Sequence, residues 1–228
     1  MDFNNRNLAI LFEIGDTPVY LTDTLVATWA VMAVLIVIAV AVRLLLGRFR
    51  GIPRGLQNLI ETAVETMDNF ALSTAGPRLQ QFGGVFFSIF AFVLFSNYSS
   101  LLGLRPPTAD LATTIALAII TFVMIHGLGF YFNRGRYFKR FLEPYPFFLP
   151  INLITEVSTP VSMAFRLFGN MLGGVIIIGL VYKMLPLLMR FILPAALHAF
   201  FDIFMGALQA FIFTMLSMTF IQQKVELD

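Results

Sequence analysis

The sequence predicts an all-α polytopic membrane protein. It should have about five membrane-crossing helices, the last two long and tilted, plus one amphipathic interfacial helix. Three observations carry this. Of 228 residues, 58% are hydrophobic and only 12% charged, against roughly 25% charged in a soluble protein. A mean hydropathy of +0.84 leaves too little polar side chain to coat a water-facing globule, which excludes a soluble enzyme and a disordered chain. Long charge-free runs alternate with short charged clusters. The absence of cysteine excludes disulfide scaffolds, thiolate metal sites and cysteine nucleophiles, and leaves the redox compartment open. The pI of about 9.1 points toward nucleic acid, but fifteen Lys and Arg against thirteen Asp and Glu is too weak a balance, so no nucleic-acid partner is expected.

The expected organisation is a single membrane domain over 1–228, with 1–24 as an external N-terminal segment. That segment carries Asp2, Glu13, Asp16 and Asp23 against Arg6; a signal peptide would begin basic and turn apolar at once, so none is read. Leu25 to Val42 is free of charge and covers about 27 Å at 1.5 Å per residue, nearly the hydrocarbon thickness. Fraying into Leu21–Leu46 completes a first span. Arg43, Arg48, Arg50 and Arg54 follow it directly.

Residues 53–73 differ in kind. Leu56, Leu59, Ile60, Ala63, Val64, Met67, Phe70 and Ala71 recur at helical spacing, while Gln57, Asn58, Glu61, Glu65 and Asp68 take the other face. Pro53 suits a helix start. A helix lying on lipid carries a basic polar face and this one is acidic, so it should pack near the interface against protein.

Phe82–Leu104 and Leu111–Phe132 read as a helical hairpin joined by the turn Gly103-Leu-Arg-Pro-Pro-Thr-Ala-Asp110. A basic cluster, Arg134-Gly-Arg-Tyr-Phe-Lys-Arg140, and a proline-broken connector, 143–150, come next. Two apolar stretches, Ile151–Tyr182 and Leu187–Ile221, complete the chain. Each exceeds a perpendicular crossing by about ten residues, which implies tilt or bending. No internal repeat is evident, which weighs against an inverted-repeat transporter. Arg43, Arg48, Arg50, Arg54, Arg78, the 134–140 cluster and Lys224 fall on one side; Arg6, Arg105, Lys183 and Arg190 fall on the other. The positive-inside rule then puts the N-terminus outside and the C-terminus in the cytoplasm.

Only Arg166 belongs to neither side. A guanidinium at mid-span costs about 2.5–3.5 kcal/mol on insertion scales, so something must compensate it. Thr159, Ser162, Asn170 and Gly173 share its helical face. Two readings stand: an internal ion pair with Asp202 or Glu156, or an arginine held for a partner or moving ion. In the last stretch His198 and Asp202 are four residues apart and Gln209 lies seven beyond Asp202. Such a stripe serves a hydrated ion path or proton relay, or else is polar glue between helices. His126 reads as a single polar contact, and Gly83-Gly84 and Gly173-Gly174 as close helix contacts. There is no paired-histidine metal motif, GxSxG motif or glycine-rich phosphate loop, so no metal, no cofactor and no catalytic site in this chain are expected.

Ser162-Met-Ala-Phe-Arg-Leu-Phe-Gly-Asn170-Met resembles the signature of subunit a of the rotary, ion-driven ATP synthase, and Leu208-Gln-Ala-Phe-Ile-Phe213 resembles that family's last-helix motif. Pro107-Thr-Ala-Asp110, Asn152-Leu-Ile-Thr-Glu156 and Thr22-Asp-Thr with Thr28-Trp29 add support in the same order. The resemblance implies a stator subunit in a bacterial inner (plasma) membrane. Its partners would be a ring of c subunits, peripheral-stalk b subunits and membrane lipid. The long pair 151–222 would carry the ion path through two offset half-channels. Arg166 would be the ion-translocation arginine, with Ser162, Thr159 and Asn170 beside it, Gln209 as the last-helix glutamine, Glu156 at the cytoplasmic half-channel and Asp202 at an ionisable last-helix position. Relatives often carry Glu or His where Val175 stands and an aromatic where Leu172 stands, so the relay partner of Asp202 is missing; His198 or water takes its place. A self-contained ion channel or secondary transporter is the alternative, and a structural membrane anchor a third.

Overall fold

The computed structural model describes residues 7–14, 17–49, 51, 53–134, 137, 145–184, 186 and 192–226. Arg6, Arg50, Arg190, most of the 134–140 basic cluster and the first two residues of the 143–150 connector lie outside the described residues. The first described element is an antiparallel hairpin of β1 (Asn7–Ile14) and β2 (Thr17–Thr22), paired from Asn7 opposite Thr22 to Ile14 opposite Thr17 with register shifts between Asn7 and Ala9 and between Ile10 and Phe12. That hairpin was not expected, although the Gly15-Asp16 pair between two β-rich runs is a two-residue hairpin signal.

The helices follow the expected order. They are α1 (Asp23–Leu45), α2 (Leu56–Ala75), α3 (Gly83–Tyr98), α4 (Leu111–Asn133) and α5 (Leu149–Met184). The last stretch is a composite of α6 (Ile192–His198), a π-helical segment (Ala199–Met205) and α7 (Gly206–Val225). Five helical segments among the described residues are long and apolar enough to cross a membrane. Their side chains bear out that solvent: Val37 is 66% and Ile36 62% exposed on α1, tolerable against lipid tails and costly in water. Pro53 does not start the amphipathic helix. Gly55, at φ +59°, precedes Leu56 instead, a conformation glycine adopts without a Cβ clash.

The chain divides into two compact units. One comprises Met1–Leu45, Ala91–Thr114 and Leu167–Ala210. Between helices in lipid, apolar burial drives little, so packing and polar contacts set the register. Here the fully buried Asn97 supplies both, donating to the Gly206 carbonyl at 2.8 Å and accepting from Thr108 at 2.6 Å. Thr24 donates to Asp110 Oδ2 at 2.7 Å, while Oδ1 accepts from the Ala112 amide at 3.0 Å and caps α4. A Cβ on Gly174 would sit 3.3 Å from Phe201, so this glycine is a close contact. Gly173 has open space around it, contrary to the expectation for the pair.

The other unit comprises Leu46–Phe90, Ile115–Arg166 and Phe211–Asp228. Its core joins Met67, Ala71 and Ala75 of α2 to Leu79, Phe86, Ile125, Met218, Ile221 and Val225. The amphipathic helix thus packs against protein along its C-terminal half, where Phe70 also stacks on Phe211 at 5.1 Å. Its N-terminal apolar residues, Leu56 and Leu59, are exposed. Gly83 closely approaches the Asp68 carboxylate whereas Gly84 faces open space, so again one glycine of the pair makes the contact.

Candidate functional site

Arg166 lies on the exposed side of α5 with Ser162, while Met163, Ala164 and Leu167 are turned inward. This follows from the sequence: 163, 164 and 167 are the large or small apolar positions of one helical stripe, and 159, 162 and 166 the polar positions of another. Arg166 borders a cleft of about 320 Å³ whose polar lining is Thr155, Ser158, Thr159 and Ser162, closed by Leu216 and Phe220 of α7. Thr155 and Thr159 donate to the carbonyls four residues back, at 3.0 Å each. Their hydroxyl oxygens remain available as acceptors.

Within its unit, Arg166 has no ion pair among the described residues. Glu156 is paired instead with Lys224 of α7, and its Oε2 is 3.9 Å from His126 Nε2. His126 is also hydrogen-bonded through Nδ1 to the Tyr137 hydroxyl, so it has more company than the single polar contact the sequence suggested. The sequence pattern did not reveal Lys224 and Tyr137 as partners: Lys224 is 68 residues along the chain from Glu156, and Tyr137 lies past the end of α4, beyond the helical spacing that would pair it with His126.

A second cleft, of about 120 Å³, belongs to the other unit. Asp202 and His198 line it with Ser100 and Arg105, among apolar Leu172, Val175 and Ile178. His198 Nδ1 and Asp202 Oδ2 are 2.5 Å apart, the i,i+4 pairing the spacing predicted. Asp202 is buried and His198 partly exposed, its Nε2 3.3 Å from the Tyr182 hydroxyl. Val175, at the position where relatives often carry an ionisable group, lines this cleft, and the ionisable side chain beside Asp202 there is His198. Arg105 and Ser100 were not anticipated here; only the fold of the 99–110 turn brings them in.

Asn170 is exposed on α5 and donates to Gln209 Oε1 at 2.7 Å; Gln209 is buried. This is the cross-helix hydrogen bond that polar side chains make inside membranes. The seven-residue spacing of Asp202 and Gln209 does not keep strict α-phase, because Asp202 sits inside the π-wound segment Ala199–Met205. Such widened turns recur at functional sites, and this one has the cleft's buried carboxylate at its centre.

A family model described as the ATP synthase A chain matches residues 25–222. The chain is 34% identical over 219 residues to "ATP synthase subunit a" of Moorella thermoacetica, covering 94% of this chain and 95% of that protein. It is 36% identical over 203 residues to "ATP synthase subunit a 1" of Syntrophotalea carbinolica, covering 87% and 83%. It is 34% identical over 224 residues to "ATP synthase subunit a, sodium ion specific" of Propionigenium modestum, covering 90% and 74%. The spans and these bacterial relatives make it an integral protein of the bacterial plasma membrane. A match running from the first span to the last, at this identity and coverage, shows that the chain belongs to the ATP synthase A chain family.

Proposed function

We propose that this chain is the stator subunit of a rotary ATP synthase membrane sector, in which Arg166 works against carboxylates carried past it on a ring of c subunits. One observation carries the reading: a mid-span guanidinium on an exposed helix face, while the carboxylate nearest it in the sequence, Glu156, is committed to Lys224. An arginine kept for its own fold would be expected to use such a partner. The hydroxyl-lined cleft of Thr159 and Ser162, with Glu156 at its margin, supports one half-channel; the Asp202–His198 cleft supports the other, with Asn170 and Gln209 contributing polarity between the helices.

The mechanism follows from electrostatics. A ring carboxylate can cross lipid only when neutralised by its ion, because a bare carboxylate in hydrocarbon is too costly. Facing a guanidinium at 4 Å it gains about 4 kcal/mol at an effective dielectric of 20, before desolvation, and so can ionise. Its ion leaves to one half-channel and is replaced from the other. The fixed charge repels a cation that would leak straight across. Membrane potential biases the direction by about 2.3 kcal/mol per charge per 100 mV. Arginine suits the task because it stays protonated and its fork can release one partner while engaging the next. Relatives named with and without sodium specificity are equally similar, at 34%, and the arginine's part in this reading is the same for either ion.

The test is coupled pumping by the complete complex in reconstituted vesicles. Arg166→Ala should abolish pumping and ion-driven ATP synthesis yet still insert, since removing the charge eases insertion by about 2.5–3.5 kcal/mol. Arg166→Lys should fail too, having lost the bidentate fork. Recovery in the double variant Arg166→Ala with Asp202→Ala would reject the role and restore the internal ion pair. Selective ion flux through the isolated chain would favour the channel or transporter reading instead.

A further inference from the structure

We propose that Lys224 is a positioning residue that acts through Glu156 to hold the two walls of the Arg166 cleft at a fixed spacing; this rests on the reading of Arg166 as the ion-transfer group. One wall is α5 from Thr155 to Arg166, and the other is Leu216 and Phe220 of α7. Lys224 lies one turn beyond Phe220, and Glu156 is adjacent to Thr155 in the sequence. Their ion pair therefore crosses from wall to wall at one end of the cleft. The side chains are only 13% and 18% exposed, so solvent screens the pair little.

The backbone of α5 needs such a tie. Pro160 stands inside the helix and has no N–H, so the Glu156 carbonyl loses the hydrogen bond it would accept from residue 160. The weakest link of α5 thus falls between Glu156 and Arg166. Anchoring the Glu156 side chain across to α7 removes the freedom that the missing bond creates. A partly buried ion pair is a poor source of stability compared with apolar packing, but it fixes register.

Other contacts brace the same corner. His126 of α4 stands 3.9 Å from the second Glu156 oxygen and is itself held by Tyr137. The Asn133 amide donates to the Lys224 and Val225 carbonyls at 2.7 and 3.2 Å, pinning the last turn of α7. Gly129 makes the approach possible, because a Cβ there would lie 2.7 Å from the Tyr137 ring and 3.1 Å from Lys224 Cβ.

The experiment uses the complete complex in vesicles, with Ser158→Cys in the cleft as a labelling reporter in a chain that otherwise has no cysteine. Lys224→Met should raise its labelling by a water-soluble thiosulfonate about threefold or more. The same change should lower ATP-driven pumping by about fivefold or more. The exchange Glu156→Lys with Lys224→Glu should return the labelling to within about twofold of the parent, and Lys224→Arg should hold both labelling and pumping near the parent. If Lys224→Met fails to insert, the exchange and the arginine variant decide. An exchange variant that inserts but labels as strongly as Lys224→Met would overturn the proposal, because a restored pair would then not hold the walls. Unchanged labelling or unchanged pumping in Lys224→Met would overturn it as well. Labelling that responds as expected while Arg166→Ala still pumps would instead reject the ion-transfer reading and leave the tie standing.

Discussion

Asp202 is the residue whose surroundings most sharply separate a relay from glue. Its carboxylate is buried, one oxygen is 2.5 Å from His198 Nδ1, and the pair lines a cleft rather than a packed seam. Glue would join two helices directly, as Asn170 and Gln209 do; the Asp202–His198 bond lies within one composite helix, and its reach to α5 is the exposed His198–Tyr182 contact at 3.3 Å. Asp202→Asn keeps the volume and a hydrogen bond to His198 but removes the proton exchange. Coupled pumping should fall on the order of 10²-fold, the scale of lost acid–base function, while the subunit still assembles. Unchanged pumping across a wide pH range would return Asp202 to a structural role. The carboxylate and its imidazole could be found in the sequence by their i,i+4 spacing. Arg105 and Ser100 could not, since they reach the cleft only through the Pro106-Pro107 turn.

At the scale of helices, the spans were legible because charge-free runs of membrane length leave little choice, and α4 matches its expected Leu111–Phe132 to one residue. What the sequence could not supply was which small residues touch. Of Gly173-Gly174 and Gly83-Gly84, only Gly174 and Gly83 meet a neighbour at short range, because contact depends on the helix's rotation against a partner that the local pattern does not encode. The π-winding at Ala199–Met205 was hidden for the same reason, since no Gly or Pro marks it. Two paired predictions follow the geometry. Gly129→Ala should cost about 1–3 kcal/mol by overpacking and lower the complex's melting temperature, whereas Gly127→Ala, with open space around it, should not. Gly173→Leu should leave melting unchanged but impair pumping, because it adds bulk to the helical stripe that carries Arg166. Equal melting for the two alanine variants would contradict the close approach at Gly129.

At the scale of the whole chain, orientation rests on where the cations lie. Arg43, Arg48, Arg54, Arg78, Arg134 and Lys224 flank spans on one side, and Arg105 and Lys183 flank them on the other. Short loops near span ends are those in which this bias decides topology, so the six-residue side is expected in the cytoplasm. The β-hairpin does not disturb the count: it ends at Thr22, before α1 begins at Asp23. The absence of native cysteine makes the arrangement directly measurable in this chain. Leu102, 80% exposed in the turn after α3, and Arg54, exposed ahead of α2, should report on opposite sides. With a membrane-impermeant maleimide on right-side-out vesicles, Leu102→Cys should label at once and Arg54→Cys only after permeabilisation. The reverse pattern would invert the chain, and the Asp202–His198 cleft, which includes Arg105 of that turn, would then open to the cytoplasm instead of the outside.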